Sequence, residues 1–131
     1  MALWSKKKVG TKIVNYLKDK NISYQLEEQA STIIKFELCF VESGFILYPY
    51  ITIDEVNSLV TFNVNVSQVN MKNAFNVVNE INRKALFLKS YITDDSILVL
   101  EYRFKAVDDI SITLEGIINN VFSLENILEK L

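Results

Sequence analysis

Two acidic pairs, Asp94-Asp95 and Asp108-Asp109, are the residues whose spacing could hold a divalent ion, since neighbouring carboxylates supply hard oxygen ligands. Their contexts explain them without metal. One pair falls where a hairpin turns and the other where a helix starts, and acidic side chains favour both places. Histidine, the usual general base near neutral pH and the commonest imidazole ligand, is absent. The single cysteine, Cys39, cannot build a zinc site, and neither a Ser-His nor a Cys-His pair can be assembled. Gly10, Gly44 and Gly116 are too scattered for a phosphate-cradling loop. These residues predict no catalytic site, no metal and no cofactor.

Composition narrows the class further. Of 131 residues, 50% are hydrophobic and 23% charged, the balance of a packed chain rather than a disordered one, and one domain over residues 1–131 is expected. Formal net charge is −2 with acids and bases interspersed, so no basic stripe predicts nucleic acid as a partner. No apolar run reaches the roughly 18–20 residues that cross a bilayer, and Met1 to Lys8 lacks the apolar centre of a secretory signal. A cytoplasmic protein with no membrane partner is expected. Cys39 lies in an apolar strand pattern and is expected to be buried or half-buried, consistent with a reducing compartment.

The elements that would position any site follow from periodicity. Gln68 to Ala85 reads as a helix with Met71, Ala74, Phe75, Val78, Ile81 and Ala85 on one stripe, capped by Ser67, and serves as the hub on which a sheet folds. A first helix spans Ser5 to Lys20, with Val9, Ile13, Tyr16 and Leu17 on one face and Trp4 roughly opposite; its lysines form a solvated start. Ile22, Tyr24 and Leu26 suggest a short extended lead-in. Strands follow at Ile33–Val41, Phe45–Ile53 and Leu59–Val66, with Glu42-Ser43-Gly44 and Asp54 to Ser58 as turns. Pro49 has no N–H for a ladder and demands an edge or a bulge. Leu86–Thr93 and Ser96–Phe104 form a second hairpin. Asp108 or Asp109 caps a last helix with Ile110, Leu114, Ile117, Val121, Leu124, Leu128 and Leu131 in line. The expected fold class is a two-layer α+β, α-βββ-α-ββ-α, with five antiparallel strands.

Val78-Asn79-Glu80-Ile81-Asn82-Arg83, then Phe87-Leu88-Lys89-Ser90-Tyr91-Ile92, an acidic turn, and Ile97-Leu98-Val99-Leu100-Glu101-Tyr102 resemble the YbjN family within the secretion-chaperone-like fold. The likeness implies a strand order 1-2-3-5-4, helices on one face, a homodimer, and binding of another protein instead of catalysis. Under that order Pro49 falls in an inner strand. The net charge is milder than the acidic balance common among secretion chaperones.

If helices cover one side of the sheet, the other presents Ile46, Tyr48 and Tyr50 from the second strand and Phe87, Lys89 and Tyr91 from the fourth. Rings mixed with polar groups suit a protein-recognition surface, and they also suit cross-strand pairs that merely stabilise the sheet. Asn82 projects from the apolar stripe, so its amide is expected to bond backbone at the helix end or the following turn. Arg83, further round, could pair with a nearby acid, and the sequence singles out none. The competing functional expectation is a small-molecule sensor with a pocket between helices and sheet.

Overall fold

A computed structural model describes residues 8–28, 31–68, 72–85, 87–106 and 109–128. In chain order the elements are α1 (Lys8–Asp19), β1 (Tyr24–Glu28), β2 (Thr32–Phe36), β3 (Leu38–Cys39), β4 (Ile46–Leu47), β5 (Tyr50–Asp54), β6 (Leu59–Gln68), α2 (Ala74–Lys84), β7 (Lys89–Ile92), β8 (Ile97–Lys105), α3 (Ile110–Phe122) and α4 (Glu125–Leu128). Six strands form one antiparallel sheet, in the order β1-β2-β5-β6-β8-β7, while β3 and β4 pair separately as a ribbon. Trp4, Lys6, Lys7, Met71, Leu86, Asp108 and Leu131, each given a place by the sequence, lie outside the described residues.

Period-two patterning sets the register. Ile34, Ile51, Phe62 and Tyr102 stand opposite one another across four strands, and Val64 faces Leu100. These residues share one apolar cluster with Val9, Ile13 and Leu17 of α1 and with Ile110, Leu114, Ile117, Ile118 and Val121 of α3. Burying each large side chain contributes about 1.5–3 kcal/mol, so this layer is the main source of stability. The helical spacing of α1 and α3 is thus buried as their sequences predict. Glu55, in the β5–β6 turn, accepts hydrogen bonds from the main-chain N–H of Val9 (3.2 Å) and Gly10 (2.9 Å) at the start of α1. Asp109 accepts from Ser111 N–H at 3.0 Å and caps α3.

Several expectations are corrected. Six strands replace five, because the lead-in around Tyr24 pairs fully with β2 and becomes an edge strand. The two long strands before Leu59 are each broken. Pro49 accepts through its carbonyl from Phe36 N–H at 3.2 Å but has nothing to donate, so the ladder divides there into the sheet and the β3–β4 ribbon. The ribbon folds towards the helices, with Phe40 edge-on to Phe122 at a ring separation of 5.1 Å. Cys39 points away from that contact and is exposed, not buried.

The hub helix is also revised. Strand β6 continues through Gln68, pairing with Ile97 across a register shift, so Ser67 lies in the strand and not at the start of α2. Ladder hydrogen bonds out-compete a helical start there. Helix α2 begins at Ala74, and Asn73 makes no side-chain cap bond. Ala74, Val78 and Ile81 turn inward with Val77 beside them, whereas Phe75, one residue off that stripe, is 84% exposed. α2 therefore lies at the margin of the sheet, against β7, and not at its centre. The last helix breaks at Ser123, whose hydroxyl donates to Asn120 C=O at 2.6 Å. The buried stripe nevertheless continues through Leu124, Ile127 and Leu128.

Candidate functional site

Alternation that sends Ile34, Ile51 and Phe62 inward sends their neighbours to the opposite side of the sheet. There Gln25, Lys35, Tyr50, Asn63, Glu101 and Lys89 stand in one row across all six strands. Every member is polar, and each comes from a different strand. Thr52, Thr61 and Arg103 make part of the next row.

Glu101 organises the part of this face next to edge strand β7. Its Oε1 accepts from the Tyr91 hydroxyl at 3.0 Å and its Oε2 from Arg103 Nη2 at 3.1 Å. Desolvation, followed by the Glu101 carboxylate, raises the Tyr91 phenol above its ordinary pKa. The phenol therefore remains a donor throughout the physiological range. Towards the other edge, Lys35 Nζ lies 3.2 Å from Glu27 Oε1.

Of the expected surface residues, Tyr50, Lys89 and Tyr91 share this open face. Tyr48 is 63% exposed and lines, with Tyr24, Gln25, Lys35 and Tyr50, a concavity of about 610 Å³. Ile46 is exposed on the β3–β4 ribbon, opposite Cys39, and so lies outside the main sheet. Phe87 does not join the group. Its ring meets Tyr102 edge-on at 5.8 Å and approaches Gly116 of α3, where an added Cβ would come within 3.0 Å. Its N–H donates to Asn120 Oδ1 at 3.0 Å, which draws the segment before β7 towards the helices.

Asn82 bonds main chain as expected, but in strand β7 and not at the helix end or the following turn. Its Oδ1 accepts from Ser90 N–H at 2.7 Å, and its Nδ2 donates to Ser90 C=O at 3.3 Å. The carboxamide thus imitates a neighbouring strand and fastens α2 to β7. The one hydrogen of Ser90 Oγ is shared between two acceptors, Asn82 Oδ1 at 3.0 Å and Val78 C=O at 3.2 Å. Arg83 is exposed in the last turn of α2, where its charge suits the negative end of the helix.

Sequence reasoning did not place Lys35, Asn63, Glu101 and Arg103 in the site. Their signal was present as polar residues at alternate positions in otherwise apolar strands. What was missing was the register that lines them up. Among the described residues, no group of three or more histidine, cysteine or acidic side chains comes together as a metal site. No helix among them is long and apolar enough to cross a membrane.

A family pattern described as "Putative bacterial sensory transduction regulator", YbjN, matches residues 11–121. The chain belongs to the YbjN family. The match runs from α1 to near the end of α3, so the YbjN region contains the whole sheet and its open face. Among solved structures, "YbjN, a putative transcription regulator from E. coli" is 15% identical, covers 87% of this chain and 89% of that one, and superposes with a TM-score of 0.49. No curated protein matches the sequence.

Proposed function

We propose that this YbjN-family chain is a non-catalytic, cytoplasmic regulatory module that binds another protein through the open face of its sheet and works as a homodimer. The polar row that contains Tyr50 and Glu101, with Tyr91 hydrogen-bonded to Glu101, carries this reading. Large rings bury area at modest entropic cost, and the paired charges between them supply orientation. The family description supports a regulatory role, and the dimer rests on the resemblance to secretion-chaperone-like folds.

The sensor reading has less support, because Ile13, Leu17, Phe62, Leu100 and Leu114 are fully buried in the core where such a pocket would lie. The test compares partner capture from native lysate by the unaltered chain and by Tyr50→Ala, Tyr91→Ala protein, both checked for folding by circular dichroism. Loss of a specific captured protein is expected. Undiminished capture removes the open face from consideration.

A further inference from the structure

At one edge the sheet has a step. β7 has four residues and β8 nine, so their ladder stops at Lys89 opposite Glu101 while β8 runs on to Lys105. Main-chain groups alternate sides along a strand, and both groups of one residue point the same way. Ser90 turns its N–H and C=O outward to Asn82, so Lys89 and Tyr91 turn theirs to Glu101 and Val99. The bonds from Thr93 N–H to Ile97 C=O and from Ala106 N–H to Ser58 C=O follow the same parity. Arg103 and Lys105 therefore aim their N–H and C=O past the end of β7, where no strand among the described residues meets them.

Phe87 would stand opposite Arg103 if β7 continued, but α3 holds it aside through Asn120 and Gly116. A cavity of about 980 Å³ occupies the step, lined by Phe87, Lys89, Glu101, Tyr102 and Arg103. An open strand edge is a template for another strand. The opposite edge offers no such step, since β1 is paired with β2 along its whole length. Glu27 and Glu28 there would repel an acidic segment.

We infer that the step beside Arg103 and Lys105 takes up an extended segment of a partner protein whose residues alternate between acidic and apolar. This deepens the reading of the protein as a polypeptide binder and rests on it. The alternation follows from the two sides of the edge. On the open side, among the described residues, Lys89, Arg103 and Lys105 outnumber the carboxylate of Glu101, which selects acidic side chains. On the core side, the half-buried rings of Tyr102 and Phe104 stack at 5.7 Å and select apolar ones.

A blocked octapeptide of alternating valine and glutamate, titrated into the isotope-labelled full chain, tests the inference by amide shifts and hydrogen exchange. Saturable binding with slowed exchange at the Arg103 and Lys105 amides is expected. N-methylation of the peptide along its pairing edge should weaken binding roughly tenfold or more, because each backbone hydrogen bond lost leaves a partner unpaired. A valine–lysine peptide should be weaker by a similar factor, and Arg103→Glu, which keeps the main-chain N–H, should reverse that preference.

Equal binding by the N-methylated peptide overturns the inference. So does slow exchange at Arg103 in the free protein, which would mean that the chain itself covers the step. Self-association weakened by Arg103→Glu also overturns it, by making a second copy the occupant. Failure of the peptide with open-face capture intact defeats the edge alone; peptide bound at Arg103 in protein that fails the open-face test defeats the face alone.

Discussion

One carboxamide, that of Asn82, closes the outer side of β7 at Ser90. Replacing it by alanine leaves a donor and an acceptor of Ser90 unpaired near the apolar underside of α2. Asn82→Ala should therefore cost about 1–3 kcal/mol, read as a lower urea midpoint with an unchanged slope. Tyr16 gives a prediction on the pH axis. Burial first, then a 2.8 Å hydrogen bond to Glu115 Oε2 and the charge of that carboxylate, hold its phenol well above the ordinary value of 10.0. The unfolded chain releases that proton near the ordinary value and the folded chain does not, so above it the unfolded state binds fewer protons. This contribution to stability is whole below that pH and is lost as pH rises towards the folded pKa. Tyr16→Phe should flatten the alkaline fall in stability, and an absorbance titration of tyrosinate should lose its latest-ionising component. Glu115 itself is lowered, by the Tyr16 hydrogen bond first and Lys20 next. Its contribution is present above its ordinary value of 4.5 and fades as pH falls through the lowered one.

Among the elements, α1 and α3 were legible in the sequence because their stripes are judged against one broad apolar layer. The inward residues of β2, β5, β6 and β8 were legible for the same reason. What could not be read were the places where a distant partner decides. Ser67 has the right chemistry for a cap, yet it sits at the register shift between Val66 and Gln68, whose pairing with β8 keeps the segment extended. Phe75 fits the stripe of a helix lying flat on a sheet, but α2 leans on an edge and turns that ring outward. Glu55 looked like an ordinary turn residue, and only the fold brings it to α1. Glu55→Ala should leave the Val9 and Gly10 amides without their acceptor and cost about 0.5–2 kcal/mol, with faster exchange at both. Helix α2 has few buried residues among those described, chiefly Ala74 and Ile81. Its amides should exchange by local opening well before those of α1 and α3, and Asn82→Ala should widen that gap.

For the molecule as a whole, the candidate surface was only partly legible. Tyr50, Lys89 and Tyr91 were assigned to the correct side by alternation alone. Phe87 was not, because the chain leaves the sheet before Lys89 and a helix glycine opens room for the ring on the core side. Glu101 and Arg103 sit two apart in one strand, but only the register shows that Asn63, Tyr50, Lys35 and Gln25 continue the line from Glu101 to the far edge. Light scattering across a concentration series should give a mass of two chains; a mass of one chain at every concentration would remove the dimer. The β3–β4 ribbon carries a practical consequence. Cys39 is the chain's sole thiol and is exposed, so a maleimide dye attaches at one known point without any substitution. Fluorescence from that point reports on ligands arriving near Ile46 and Tyr48, and reductant must accompany every mass measurement, since two molecules joined through sulfur would counterfeit a native pair.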